Sequence, residues 1–291
     1  MTRLMLKSLM LMLLISSNAC AKSTENKTTG ANSDKDILEY VKKAINVNSK
    51  FKLKDVRVAD KKPLEQLTGW SVYFLDIDLA VQSKDKKKDT ITTVHDKIFS
   101  NGVFISRDFI DIKKKSSLKD KIAPDIDSSF EKKENLVYGE ESAPNKIVVF
   151  SDPLCPFCQS YMPKLLKAAK ENPKKIALYY YNFPLTMLHK ASPTIIKAVL
   201  VAEKNGEKDM DTKVYSAMFD FDTTDEKKIL EEFNKKLGLK ISEKDIMAQD
   251  ILVKYSGDIE MAGKAMVSGT PTVYVNGKKD FSREKYIEII K

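Results

Sequence analysis

Between residues 34 and 47 the apolar side chains Ile37, Leu38, Val41, Ala44 and Ile45 recur at three- and four-residue spacing, which predicts an amphipathic helix. The period then drops to two. Lys52 to Val58 alternates. From Gly69 and Trp70 onward, Tyr73, Leu75, Ile77, Leu79 and Val81 share one face of a predicted strand, while Asp76, Asp78 and Gln82 share the other. Residues 84–89 read as a charged hairpin loop and 90–99 as a further strand. Asn101-Gly102 is a tight-turn signal, and Val103 to Ile105 opens the return strand. One helix followed by an antiparallel meander predicts a small α+β domain over residues 34–112. Residues 113–136 are polar and charged, are broken by Pro124, and read as a linker.

A second domain is predicted over 137–291. Ile147-Val148-Val149-Phe150 is a continuous apolar run suited to a central strand buried on both faces. A helix follows in which Tyr161, Met162, Leu165, Leu166 and Ala169 line one face, with Pro163 as a kink point. Ile176 to Asn182 is a second strand. Residues 192–267 read as helices, opened by Ser192-Pro193, interrupted at Gly206, capped by Thr224 and again by Ser242. A strand over Thr272 to Val275, an Asn276-Gly277 turn and a last helix over 283–290 capped by Ser282 complete the order. Strand, helix, strand, helical insertion, strand, turn and helix make an α/β thioredoxin-like layout with a helical insertion at about 192–267.

The N-terminus has the parts of a signal peptide over residues 1–21. Arg3 and Lys7 are basic, Leu9 to Ile15 is an apolar run too short to span a bilayer, and small or polar residues follow. Two processing routes fit. Ile15 to Cys20 resembles a lipobox, with Cys20 as the acylated residue, although Ser17 and Asn18 depart from that pattern. Alternatively Ala19-Cys20-Ala21 is an ordinary cleavage site. The lipoprotein route is preferred because a polar tether, residues 22–33, follows at once. Either route predicts export to the bacterial periplasm or cell envelope.

Composition narrows the function classes. Of the 291 residues 42% are apolar, enough for packed cores, so wholesale disorder is excluded. The formal charge of +9 arises mainly from Lys spread among acids. Runs such as Lys86-Lys87-Lys88 and Lys113-Lys114-Lys115 lack Arg and interleaved aromatics, so a solvated surface is expected rather than nucleic-acid binding.

Cysteine is scarce: Cys20, Cys155 and Cys158. Cys155-Pro156-Phe157-Cys158 directly follows the buried strand and opens a helix. Unpaired backbone N–H groups and the positive dipole end at that position favour a thiolate on Cys155. Cys155 is therefore the candidate nucleophile, and Cys158, one turn on, the resolving thiol. Pro156 fits the first helical position, and Phe157 places no charge between the sulfurs. Six residues before Cys155 stands Val149, so no acid is available there as an internal proton acceptor. A zinc site would need four ligands, and only Cys20, His95 and His189 remain to join the pair. No metal, nucleotide or organic cofactor is implied. His189 follows Pro184 by five residues and is a candidate neighbour of the site. His95 reads as a surface residue and Trp70 as a core or domain-interface one.

Phe150-Ser151-Asp152-Pro153-Leu154-Cys155-Pro156-Phe157-Cys158 resembles the DsbA/DsbC/DsbG group of bacterial periplasmic thiol–disulfide proteins. Asn182-Phe183-Pro184-Leu185 followed by His189 resembles DsbA-like families, and the similarity covers about residues 136–291. The resemblance implies that Gly269-Thr270-Pro271 is the cis-proline loop that pairs with an extended substrate. Thr270 is typical of DsbC and DsbG, where DsbA carries Val. It also implies that the first domain is cystatin-like and serves homodimerisation. The implied function is an exported thiol–disulfide oxidoreductase, foremost a disulfide isomerase or reductase. Its substrates would be unfolded or misoxidised exported proteins, and a DsbD-like membrane protein its reductant. A DsbA-like oxidase served by a DsbB-like partner, and an envelope chaperone or binding module, stand as the alternatives.

Overall fold

The helical period near residue 40 becomes α1 (Ser33–Asn46), and the two-residue period that follows becomes β1 (Lys52–Pro63), β2 (Ser71–Val81), β3 (Thr90–Ser100) and β4 (Ile105–Ser106). The computed structural model describes residues 33–46, 52–81, 90–221 and 223–291. The expected signal peptide (1–21), Cys20, nearly all of the tether and the 84–89 loop lie outside the described residues. The chain divides into two compact units, Met1–Lys119 and Asp120–Lys291.

In the first unit the four strands form an antiparallel sheet in sequence order. Ile37, Val41 and Ile45 of α1 are buried with Val56, Tyr73, Leu75, Ile77 and Leu79. Burying three aliphatic side chains contributes about 5–9 kcal/mol, enough to hold a helix of this length that would be marginal alone. The opposite face of β2 is less polar than the alternation predicts, because Val72, Phe74 and Ala80 are buried there. Its polar part is a cross-strand ladder. Arg57 bridges Asp76 and Asp78 at 3.1 and 2.6 Å, and Thr93 bonds Asp78. His95, expected at the surface, is largely buried with Nδ1 2.7 Å from Asp76, its partner across the β2–β3 register. Trp70 is half-buried, edge-on to Phe109. The return strand starts later than predicted, since the Asn101 carboxamide accepts from the N–H groups of Val103 and Phe104 and widens the turn.

Residues 113–136 are more than a linker. A short pair, β5 (Ile110–Asp111) and β6 (Ser116–Ser117), leads into α2 (Leu118–Lys121), which straddles the boundary between the units. Two single-turn 3₁₀ helices, Ser128–Phe130 and Lys133–Asn135, then carry Phe130 and Asn135 into the second unit's interior. Tyr181 donates to the Phe130 carbonyl, and the Asn135 amide donates to the Tyr180 carbonyl. Isolated anchors in a polar stretch show no period, so sequence alone marked them as loop.

The second unit is built on a five-stranded sheet of β7 (Leu136–Tyr138), β8 (Asn145–Ser151), β9 (Ile176–Asn182), β10 (Thr272–Val275) and β11 (Lys278–Lys279). Its order is β11-β10-β8-β9-β7, with β8 and β9 parallel and the other pairs antiparallel. The helices are α3 (Pro156–Glu171), α4 (Ser192–Lys204), α5 (Met210–Ser216), α6 (Glu226–Leu237), α7 (Glu243–Ile246), α8 (Gln249–Lys264) and α9 (Lys285–Ile290). Ile147 and Val149 of β8, with Leu178 and Tyr180 of β9, enter one apolar cluster together with Met162 and Leu165 of α3. Val148 and Phe150, with Tyr179 and Tyr181, enter the cluster on the other face with Phe130 and Met261. The unbroken apolar run of β8 is thus explained by a strand covered on both sides.

Two caps differ from expectation. Asp225, not Thr224, caps α6, its carboxylate accepting from the N–H groups of Lys227 and Lys228. The last helix is organised by Asp280, which takes Ser282 N, Ser282 Oγ and Lys285 N, while Ser282 only receives Glu284 N.

Candidate active site

β8 ends at Ser151, and Asp152-Pro153-Leu154 turns the chain into α3, whose N-cap is Cys155 and whose first residue is Pro156. That turn is set by Asp152, which is fully buried. Its carboxylate accepts from Leu154 N at 2.9 Å within the turn, and from Leu185 N at 2.8 Å and His189 Nδ1 at 2.9 Å across it. Ser192 Oγ, in the first turn of α4, is a fourth partner. A carboxylate is tolerated in this interior because every partner is a donor aimed at it. One side chain thus pins the cysteine turn, the 183–189 loop and the start of α4. His189 is joined to the site through this carboxylate and is mostly buried.

Cys155 and Cys158 are both free thiols and both buried, at 3% and 0% exposure, whereas Phe157 between them is 71% exposed. The Cys155 thiol donates to the Thr270 carbonyl at 3.5 Å. The loop Gly269-Thr270-Pro271 therefore stands directly across from the sulfurs, and the Thr270-Pro271 peptide bond is cis. The Thr270 hydroxyl is buried beside both sulfurs, where it favours their thiolate forms. A cavity of about 340 Å³ opens beside this loop, lined by Phe157, Gly269, Thr270, Pro271, Phe281 and Arg283. Phe157 and Phe281 are both more than half exposed, as are Met187 and Leu188 in the loop that Asp152 holds.

The two thiols are electrostatically unequal. Cys155 is lowered to about 5, chiefly by the hydrogen bond from the Cys158 thiol, which outweighs burial, and further by Thr270 and the backbone N–H groups of Cys158 and Phe157. Cys158 moves the other way, pushed up by burial and by its role as donor to Cys155. A pair of this kind has one sulfur poised as thiolate and leaving group and one kept as thiol, which suits it to disulfide exchange.

Near position 149, where no acid stands, the structure gathers polar groups that the sequence did not reveal. Val149 and Ser151 lie on the same face of β8, and Val149 is in register with Tyr180 on β9. The Ser151, Tyr215 and Tyr180 hydroxyls lie on that face, linked to one another at 2.6 and 2.8 Å. Asp152 had a readable signal, a lone acid between an apolar run and Pro153. Tyr180 and Tyr215 had none, because aromatic residues in a buried strand and a short helix read as core. His95 and Trp70 belong to the first unit. Among the described residues no three His, Cys, Asp or Glu side chains group as metal ligands, and no helix is long and apolar enough to cross a membrane.

A family model described as "Thioredoxin" matches residues 131–290. The Bacillus cereus protein named "Probable disulfide bond formation protein D" is 31% identical over 151 residues, covering 48% of this chain and 68% of that one. Its namesake in Bacillus anthracis is 29% identical over 153 residues, with the same coverage. Among solved structures, a thioredoxin-like oxidoreductase from Silicibacter pomeroyi has 20% identity and a TM-score of 0.45, covering 56% of this chain and 94% of its own. Proteus mirabilis ScsC in a transitional conformation has 19% identity and a TM-score of 0.43, covering 56% and 74%.

Proposed function

The chain belongs to the thioredoxin family and is a thiol–disulfide oxidoreductase, and on that premise we propose that it donates disulfides to exported proteins at the cell envelope through Cys155 and Cys158. The observation that carries the direction is the hydrogen-bonded Cys155 sulfur at the start of α3, lowered to about 5. A substrate thiolate attacks Cys155 Sγ in the Cys155–Cys158 disulfide, and Cys158 leaves and takes up a proton. A second substrate thiolate then attacks the substrate sulfur of the mixed disulfide, and Cys155 leaves as thiolate. Two electrons pass from the substrate dithiol to the cysteine pair. A leaving thiolate of low pKa speeds that last step, and a stabilised reduced form makes the disulfide oxidising. Exposed Phe157, Met187, Leu188 and Phe281 offer an apolar surface to unfolded segments. Such a surface, with pairing to the backbone of the Gly269–Pro271 loop, reads little sequence. The name of the Bacillus relatives, disulfide bond formation protein, fits the same direction.

Export rests on the residue 1–21 pattern, with Cys20 as the acylated residue and 22–33 as tether. A donor of this kind needs a DsbB-like membrane oxidant to regenerate it. A second reading, disulfide isomerase or reductase supplied by a DsbD-like donor, is favoured by Thr270 ahead of Pro271 and by the α+β unit that precedes the catalytic one. That unit would then be cystatin-like and carry a homodimer contact. A chaperone reading predicts that a Cys155→Ser/Cys158→Ser variant keeps its cellular role.

Equilibration of the purified chain in glutathione buffers decides the direction. Donation predicts a midpoint above about −180 mV, between protein disulfide isomerase and the strongest oxidants at about −120 mV. A midpoint near thioredoxin's, about −270 mV, would refute donation and support the reductase.

A further inference from the structure

One hairpin of the first unit carries side chains that its own fold does not use. β5 and β6 pair at the base of Ile110-Asp111-Ile112-Lys113-Lys114-Lys115-Ser116-Ser117, and residues 112–115 form its tip. Ile112 is 86% exposed and Ile110 63%. Lys113, Lys114 and Lys115 are exposed as well, and Lys115 turns the tip with φ +48°. Asp111 is the one acid of the hairpin. It lies 3.8 Å from the Lys114 ammonium and accepts from the Lys114 N–H. Lys113 and Lys115 have no acidic partner among the described residues. Three lysines against one acid leave the tip cationic.

The preceding turn, between β3 and β4, adds Val103 and Phe104, both more than half exposed. Elsewhere among the described residues of this unit, the exposed large apolar side chains stand singly, at Tyr40 and Ile91. Apolar tips left in water mark a contact surface, and lysines beside them add attraction to anionic headgroups. We propose that the 110–117 hairpin is a membrane-contact tip that rests the first unit on an anionic lipid surface.

Charge complementarity selects this occupant. A second copy would set the same lysines against one another, and a nucleic acid would call for the arginines and interleaved aromatics that the run lacks. The chain that precedes the described residues points the same way. With Cys20 acylated, as the lipobox-like run implies, thirteen residues separate the anchor from Ser33. Thirteen residues reach at most about 45 Å, and a unit of about ninety residues has a radius of gyration of about 12 Å. The hairpin can therefore reach the bilayer that holds the anchor. The anchor supplies proximity, and the hairpin supplies orientation. The proposal rests on the envelope reading for the presence of a bilayer and on nothing in the exchange chemistry.

The processed chain from Ala21, which carries no acyl group, is mixed with sucrose-loaded vesicles and sedimented. Vesicles of phosphatidylcholine and phosphatidylglycerol in equal parts are compared with phosphatidylcholine alone. The chain is expected to sediment with the anionic vesicles at low salt and to stay in solution with the neutral ones. Each lysine near an anionic surface contributes about fivefold in partitioning, so Lys113→Gln/Lys114→Gln/Lys115→Gln should lower the partition coefficient by roughly tenfold to a hundredfold. Ile110→Ser/Ile112→Ser, with every lysine kept, should lower it roughly tenfold, which separates apolar insertion from charge alone. All five positions are exposed, so both variants should keep the melting temperature of the parent. A partition coefficient within twofold of the parent in either variant, or a parent that ignores the anionic vesicles, would overturn the proposal. So would a parent that elutes as a dimer and that either variant splits, which would give the face to a second copy. The vesicle result does not depend on Cys20. Incorporation of labelled palmitate into the full chain in cells, abolished in Cys20→Ala, reads the anchor separately, and absence of label would refute the anchor while the vesicles still decide the hairpin.

Discussion

At Cys155 burial and hydrogen bonding pull in opposite directions, and hydrogen bonding wins because the Cys158 thiol, Thr270 and two helix-start N–H groups all bear on one sulfur. The sequence pointed to the helix start as the cause, whereas the largest single contribution comes from Cys158. Carbamidomethylation of the reduced chain by iodoacetamide is therefore expected to follow a single titration with half-maximal rate near pH 5 on Cys155. A midpoint near the ordinary thiol value of about 8.5 would refute the assignment. The same shift has a stability consequence. A group whose pKa is lowered on folding stabilises the folded reduced chain fully above the unfolded thiol's value of about 8.5, and that contribution is lost as pH falls through about 5. Cys158, raised on folding, costs stability only at alkaline pH. The melting temperature of the reduced chain, taken relative to the oxidised chain to cancel other groups, should thus fall as pH is lowered through this window.

At the scale of elements, β8 and β9 explain both the core and the site. Their alternation sends Ile147 and Val149 to one cluster and Val148 and Phe150 to the other, and it brings Ser151 onto the face where Cys158 lies. The edge strand β7 depends on a closer fit. Gly139, which ends it, has φ +90°, and a Cβ there would stand 1.8 Å from the Ile176 carbonyl oxygen. Gly139→Ala combines a left-handed backbone with a backbone clash, and should cost roughly 2–4 kcal/mol in urea unfolding. A loss below about 0.5 kcal/mol would show that β7 can move away from β9 freely.

For the molecule as a whole, the second unit carries apolar clusters on both faces of its own sheet and contains Cys155, Cys158 and the Thr270 loop. At about 170 residues it is large enough to fold alone. A fragment spanning 120–291 is expected to melt cooperatively and to react with dithiobisnitrobenzoate at a first-phase rate within about twofold of the full chain. A fragment that shows no cooperative melt in circular dichroism would mean that the first unit is part of the same folding unit. If the fragment folds and reacts as expected, assays on whole proteins, where only the full chain should suffice, assign the first unit to substrate or partner binding.

Local patterns were enough to read the helix of the first unit, the doubly buried β8, the Cys155-Pro156-Phe157-Cys158 helix start and the Asn276-Gly277 turn, whose two residues both take positive φ. Each of these is written in neighbouring residues, by period, capping chemistry or turn geometry. Three features were decided only in three dimensions, whereas the Thr270 loop, which meets Cys155 across 115 positions of chain, was reached through the family resemblance. Asp152 gathers donors from residues 154, 185, 189 and 192. Phe130 and Asn135 anchor what read as linker, and Tyr180 and Tyr215 supply hydroxyls where position 149 offers no acid. Sequence period reports which face of an element is apolar, but it carries no record of which distant polar group will share a buried space, because that depends on strand order and register across the folded sheet.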